Sequence, residues 1–288
     1  MIMAGSDPAL PLPESTSTPS SKNLLLRVAS AAILAPLAVG AAYLGDWPFT
    51  IFWALAAMAV WWEWIGLVDP VGRNVLLATG VCVLLLEAVL VESGQFSIAV
   101  MLVGLGVLAA IVTAGQQARL VAGGIVYSSA LLIAPTVIRL DERHGFLAIV
   151  FLFAVVWGTD IGGYFVGRAF GGPKLAPGIS PKKTWSGAIG GMIAGVAAAA
   201  AIVVAYTTSN PWMVVIVAVL LSVASQAGDL FESWLKRTFD AKDASTLIPG
   251  HGGVMDRLDG FIFAATAAAL LGLIRGGLEA PASGLVIW

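Results

Sequence analysis

Acidic and basic side chains crowd into one stretch, GDLFESWLKRTFDAKDASTLIPGHGGVMDRLDG, residues 228–260, which carries six of the chain's 17 acidic residues: Asp229, Glu232, Asp240, Asp243, Asp256 and Asp259. Lys236, Arg237, Lys242 and Arg257 are interleaved with them. On a helix, Asp229, Glu232, Ser233 and Lys236 share one face by the i, i+3, i+4, i+7 rule, and Asp256 and Asp259 stand one helical step apart. Two helix ends bearing carboxylates therefore converge at one depth. Converging carboxylates repel unless protons or cations neutralise them, and hard oxygen ligands favour Mg²⁺ or a similar ion over zinc. A metal held by aspartates beside lysines and arginines suits phosphoryl or nucleotidyl transfer. Pro249, Gly250, Gly252 and Gly253 surround His251 in a tight loop able to offer backbone N–H groups to phosphate. His251 reads either as an acid or base or as a hydrogen-bonded loop residue. The chain has no Walker A sequence, which excludes a P-loop enzyme.

A second cluster lies upstream. Asp160 sits in WGTDIGGYFVGR among Gly158, Gly162, Gly163 and Gly167, so a ligand or another helix can approach its backbone closely. The following GGPKLAPGISPKKTW brings Ser180, Lys182, Lys183 and Thr184 onto a short, proline-stiffened stretch. Cations and hydroxyls in that density suit phosphate oxygens, although a basic loop also serves as a plain topology signal. Glu63, in WWEWIG, and Glu87 are the other acids inside apolar blocks. Acids there mark function or a water-filled cavity by default, although Glu63 is close enough to a block end to snorkel toward headgroups.

The elements that position these residues follow from composition. With 59% hydrophobic and 11% charged residues, the chain is far from the roughly 25% charged content of soluble domains. Its apolar residues fall into nine blocks: 24–44, 49–68, 75–91, 96–113, 120–138, 146–170, 187–206, 212–235 and 260–274. These are continuous rather than alternating, so they read as helices and not barrel strands. The expected fold is an all-α, polytopic integral membrane protein with about nine transmembrane helices. Residues 1–22, rich in Pro, Ser and Thr, read as a disordered cytoplasmic tail. Residues 23–145 then form about five spans, and residues 146–288 form a catalytic region of about four spans with two cytoplasmic loops, 171–186 and 236–257.

Nine spans put twelve of the 15 basic residues on one side and leave only Arg139, Arg143 and Arg275 opposite. The positive-inside rule then places the N-terminus and both loops in the cytoplasm and the C-terminus outside. Tryptophans such as Trp47, Trp62, Trp185 and Trp212 lie near block ends, as interfacial belts require. A net charge of −2 argues against a nucleic-acid partner. The single cysteine, Cys82, excludes an intramolecular disulfide and a cysteine-based zinc site. Gly187, Gly191 and Gly195, four apart, read as a helix-packing stripe that also suits a homodimer.

The segment SWLKRTFDAKDASTLIPGHGGVMDRLD, Ser233 to Asp259, resembles the signature of the phosphatidate cytidylyltransferases, the CDP-diacylglycerol synthases. DIGGYFVGR and ISPKKTW resemble the same family's cytoplasmic region, so the specific motifs cover residues 157–260. Two departures touch substrate binding: Ser186 follows Trp185 where glutamate is common, and the loop near Gly172 lacks a lysine, with Lys174 close by. The resemblance implies that CTP and phosphatidate give CDP-diacylglycerol and pyrophosphate at a bilayer, with Mg²⁺ required and a second cation accommodated. Asp229, Asp256 and Asp259 then correspond to the acidic metal site. Lys236 and Arg237 join them as catalytic cations. Asp160, Ser180, Lys182, Lys183, Thr184, Ser233, His251, Gly252, Gly253 and Arg257 form the expected substrate-binding set. The compact chain resembles a bacterial inner-membrane enzyme. Two rivals share features with this reading: an ion-coupled transporter built on intramembrane acids, and a CTP-dependent lipid kinase, which would move the γ-phosphate instead.

Overall fold

The computed structural model describes residues 21–206, 210–248 and 252–288. The expected tail, apart from its last two residues, and His251 lie outside the described residues. Nine long helices account for most of the described chain: α1 (Ser21–Leu44), α2 (Asp46–Val68), α3 (Arg73–Glu92), α4 (Phe96–Thr113), α5 (Ala118–Arg139), α6 (Gly145–Phe170), α7 (Trp185–Tyr206), α8 (Pro211–Thr238) and α9 (Met255–Gly276). Eight of them, α2 to α9, are long and apolar enough to cross a membrane, and the apolar part of α1, Ala32–Leu44, is shorter. Within hydrocarbon every backbone polar group must be satisfied inside the protein, and a helix does this within one segment. The nine apolar blocks thus become the nine long helices of an all-α integral membrane protein.

Three features depart from the expectation. The 171–186 loop folds as an antiparallel hairpin of β1 (Lys174–Ala176) and β2 (Ser180–Thr184), with Lys174 opposite Thr184 and Ala176 opposite Ser180. The second loop starts later than residue 236, because α8 continues to Thr238 and carries Lys236 and Arg237 as helical residues. Asp240, with φ of 52°, takes the left-handed conformation that ends the helix, and the Ala241 N–H closes back on the Lys236 carbonyl at 2.9 Å. Finally, the C-terminus turns back as a short helix α10 (Pro281–Val286), buried against α9 and α6.

The core is organised by large aromatic side chains of α2. Trp53 stacks on Phe261 of α9 at 4.5 Å between ring centroids. Trp64 donates to the Leu120 carbonyl at 2.8 Å and lies against Phe231 of α8 and Tyr127 of α5. α4, by contrast, turns Ile98, Met101, Leu105, Leu108 and Ile111 outward, the apolar exterior that a lipid solvent requires.

Glycine permits two close helix crossings beside the site. A Cβ on Gly191 of α7 would lie 2.5 Å from the Thr159 carbonyl oxygen of α6, and one on Gly187 would lie 2.9 Å from the Gly163 carbonyl oxygen. The 187/191/195 stripe is thus used inside one chain, packing α7 onto α6. In the second crossing Gly228 of α8 faces the Asp259 backbone, and a Cβ on Gly260 would sit 2.6 Å from Ser225 Oγ. Without hydrophobic driving force between helices in lipid, such close backbone approach supplies the packing energy.

Candidate active site

The consequence of those crossings is a cavity of about 700 Å³ between α6, α7, α8, α9 and the hairpin. α6 contributes Asp160, Tyr164 and Arg168, one per turn along a single face. α8 contributes Gln226, Asp229, Ser233 and Lys236, again at helical spacing, with Glu232 at the edge. α9 adds Asp256, Arg257 and Asp259, and β2 adds Lys182, Lys183 and Thr184. Carboxylates and cations from four elements therefore face one half-open cavity.

Two lysines hold the carboxylates together. Lys183 reaches from the hairpin to Asp229 on α8 in an ion pair. Lys236 lies between two acids, 2.7 Å from Glu232 Oε1 and 2.5 Å from Asp256 Oδ1. The other oxygen of Asp256 accepts backbone N–H groups from Gly253 at 2.7 Å and Ala244 at 3.0 Å. Two backbone N–H groups of the α8–α9 loop thereby hold that oxygen, which is how a carboxylate away from water is stabilised. Asp259 Oδ1 accepts from the Gly260 N–H at 2.7 Å.

The hydroxyls around the cavity do mostly structural work. Thr184 Oγ1 accepts from the Gly187 N–H at 3.1 Å, capping α7. Thr159 and Ser222 are hydrogen-bonded across α6 and α8 at 2.8 Å, and Gln226 Nε2 donates to the Ala188 carbonyl at 3.3 Å. These contacts lock the three helices that form the walls.

Ten of the residues singled out in the sequence meet at this cavity: Asp160, Lys182, Lys183, Thr184, Asp229, Ser233, Lys236, Asp256, Arg257 and Asp259. Four others are described but do not line it. Ser180 is at the far end of β2, opposite Ala176. Arg237 is exposed on the neighbouring face of α8. Gly252 forms a bridge with Ile248, and Gly253 acts through its N–H on Asp256. Sequence reasoning assigned no site role to Tyr164, Arg168 and Gln226, nor to Glu232 and Asp243 of the acidic stretch, all of which also line the cavity. The i, i+4, i+8 spacing from Asp160 to Arg168 was the available signal for two of them.

The donor chemistry suits a hard divalent cation, since five aspartates, one glutamate and no thiol border the cavity. Among the described residues, however, no three acidic, histidine or cysteine side chains converge as a ready ligand set. The ammonium groups of Lys183 and Lys236 provide the neutralising charge in this arrangement.

The chain matches the cytidylyltransferase family over residues 25–274. It is 41% identical over 270 residues to the phosphatidate cytidylyltransferase of Brucella suis biovar 1 (strain 1330), covering 91% of this chain and 97% of that protein. The phosphatidate cytidylyltransferase of Brucella abortus biovar 1 (strain 9-941) is 42% identical over 261 residues, 88% of this chain and 94% of the relative. A protein of the same name from Bacillus subtilis (strain 168) is 41% identical over 127 residues, 44% and 47% of the two chains.

Proposed function

The chain belongs to the cytidylyltransferase family, and from that premise we propose that it transfers the cytidylyl group of CTP to phosphatidate, giving CDP-diacylglycerol and pyrophosphate. The observation that carries this reading is the Lys183–Asp229 ion pair, which joins the basic hairpin to the acidic helices at the cavity. A cavity that gathers lysines and arginines around aspartates is built for polyanionic reactants.

The phosphate monoester of phosphatidate has a second pKa of about 6 and is already largely dianionic at neutral pH. It needs no strong base. One of its oxygens bonds to the α-phosphorus of CTP while the bond from that phosphorus to the bridging oxygen of pyrophosphate breaks, and the electron pair leaves with pyrophosphate. The difficulty is charge accumulation. Lys182, Lys183, Lys236 and Arg257 offset it, as positioned cations do in other phosphoryl transfers. Asp229, Asp256 and Asp259 are the residues that would hold Mg²⁺, which requires Lys183 to release Asp229 and Lys236 to yield Asp256 Oδ1. The ion would supply charge neutralisation at the pyrophosphate oxygens.

The lipid approaches along α6. Tyr164 and Arg168 are exposed at the cavity, linked by an Arg168 Nη1 to Tyr164 Oη hydrogen bond of 3.0 Å, and Ile161 and Phe165 beside them are exposed apolar side chains. Arg168 receives the headgroup phosphate while the acyl chains stay against Ile161 and Phe165. The basic bias of the same loops supports a cytoplasmic site in a bacterial inner membrane, with the C-terminus outside.

The test is pyrophosphate release by purified protein in detergent supplied with CTP, phosphatidate and Mg²⁺. Release that requires the lipid, with CDP-lipid as co-product, and that is abolished by chelator and by Asp256→Asn supports the reading. CDP with a newly phosphorylated lipid would mean γ-phosphate transfer instead. No turnover from folded protein would return the acids to a transport role.

A further inference from the structure

We propose that Glu63, on α2 and outside the cavity, is a positioning residue for this reaction, holding the α8–α9 loop and through it Asp256. The inference rests on the function proposed above and deepens it. Glu63 is 1% exposed, so it does not snorkel to the membrane surface. Its carboxylate points at the start of α9. Oε1 accepts the Ser245 hydroxyl at 2.6 Å and the Val254 N–H at 2.8 Å, and Oε2 accepts the Met255 N–H at 2.7 Å.

These amides belong to the first turn of α9, where N–H groups have no intrahelical partner and where α9 has no side-chain cap of its own. A carboxylate there satisfies the orphan donors and matches the positive end of the helix dipole. Ser245 extends the grip, since its Oγ also accepts the Leu247 N–H at 3.1 Å. On the other face of the same loop, Asp256 holds the N–H groups of Gly253 and Ala244. Two carboxylates from different helices thus clamp consecutive amides, Gly253 by Asp256 and Val254 and Met255 by Glu63. The fit leaves no slack: a Cβ on Gly253 would lie 2.6 Å from Glu63 Oε1. Asp256 can turn its remaining oxygen to Lys236 only while that loop stays in place.

Glu63→Gln tests this with little change of size. Whichever way the amide turns, its NH₂ faces an N–H donor, and a buried donor loses its acceptor. The measurements are kcat and KM for CTP and phosphatidate, thermal unfolding, and backbone hydrogen exchange over residues 241–256, on full-length protein in detergent. The expected result is a kcat lower by about 10²-fold per folded enzyme, the cost of a displacement of about 1 Å at a reacting group. KM values stay near wild type, and exchange accelerates within 241–256 while other segments are unchanged. Glu87→Gln, another buried acid outside the cavity, keeps wild-type kcat. A purely structural role would lower the folded fraction and leave kcat per folded enzyme intact, and that outcome, or unchanged exchange in the loop, overturns the proposal. Should Glu63→Gln fail to fold, Ser245→Ala removes one of the three bonds: faster exchange around residues 244–247 with a smaller fall in kcat supports the anchor, and no change overturns it. Wild-type protein inactive with CTP and phosphatidate would instead sink the proposed function, while the exchange comparison would still decide the anchor.

Discussion

The two parts of the molecule bury acidic side chains in apolar helices and neutralise them in different ways. Around the cavity, Asp229 and Asp256 face ammonium groups, Lys183 from the hairpin and Lys236 from α8. In the helices before α6, Glu63 is satisfied by backbone N–H groups and a serine, Glu87 accepts from Ser129 at 2.9 Å, and Glu92 accepts from Thr50 at 2.5 Å. Neutral donors in fixed positions hold a carboxylate still. A lysine on a flexible stem can be displaced by an incoming cation or follow an incoming phosphate. Under the proposed function, this difference separates the lysine-paired acids that would handle reactants from the more deeply buried acids that hold helices.

This contrast is open to attack at several strengths. The largest effect is expected from Asp229→Asn or Asp256→Asn, each lowering the rate of CDP-lipid formation by about 10³-fold, the scale seen when one charge-stabilising group is removed from an active site. Chelation of divalent ions should match it, and full activity of either variant would erase the distinction. Next comes Gly191→Leu, which forces α7 away from α6. Overpacking of this kind costs about 1–3 kcal/mol, so the unfolding temperature should fall, whereas an unchanged one would show that the crossing tolerates bulk. Glu87→Gln should leave turnover unaltered and shift stability by about 1 kcal/mol or less, since Ser129 retains an acceptor. Turnover lost to the extent seen for Asp229→Asn would place Glu87 with the reactive acids and break the comparison.

The smallest effect concerns Asp141, in the turn after α5 and outside the spans. Burial raises its pKa, but the N–H groups of Ser283, His144 and Arg143 and the Ser283 hydroxyl outweigh this and hold the carboxyl below its ordinary value. A folded-state pKa below the unfolded one stabilises the fold above the unfolded value of about 3.9 and loses that contribution as pH falls through the folded pKa. Asp141→Asn should thus lower the unfolding temperature near neutral pH, and its gap from wild type should narrow below pH about 4. A gap independent of pH would detach the Asp141–Ser283 link from ionisation.

Much of the fold was readable because lipid imposes a simple rule. Nine apolar blocks became nine long helices, and the family resemblance carried by Ser233–Asp259 was borne out by the match over residues 25–274. Helical spacing also put Asp229, Ser233 and Lys236 on one face, as the cavity shows. The hairpin has no mark in the sequence because its strands are only 3 and 5 residues long, too short for an apolar alternation to show, and the longer one is polar. α10 was missed because six residues carry too little periodicity. Arg168 looked like one more basic residue at a helix end until its stripe with Asp160 and Tyr164 turned toward the cavity.

Glu63 marks the boundary between the two kinds of information. From its neighbours, WWEWIG, it was an acid near the end of a span, with snorkelling and function both open. Its partners are Ser245, Val254 and Met255, the last 192 positions away in the chain. By itself the sequence determined which segments enter lipid, which residues carry charge at the helix ends, and the family to which the chain belongs, since these depend on composition and local spacing. Only the tertiary structure decided which charge meets which partner, because hydrogen bonds and ion pairs act over about 3 Å, and that distance is set by how close glycine lets α6, α7, α8 and α9 approach.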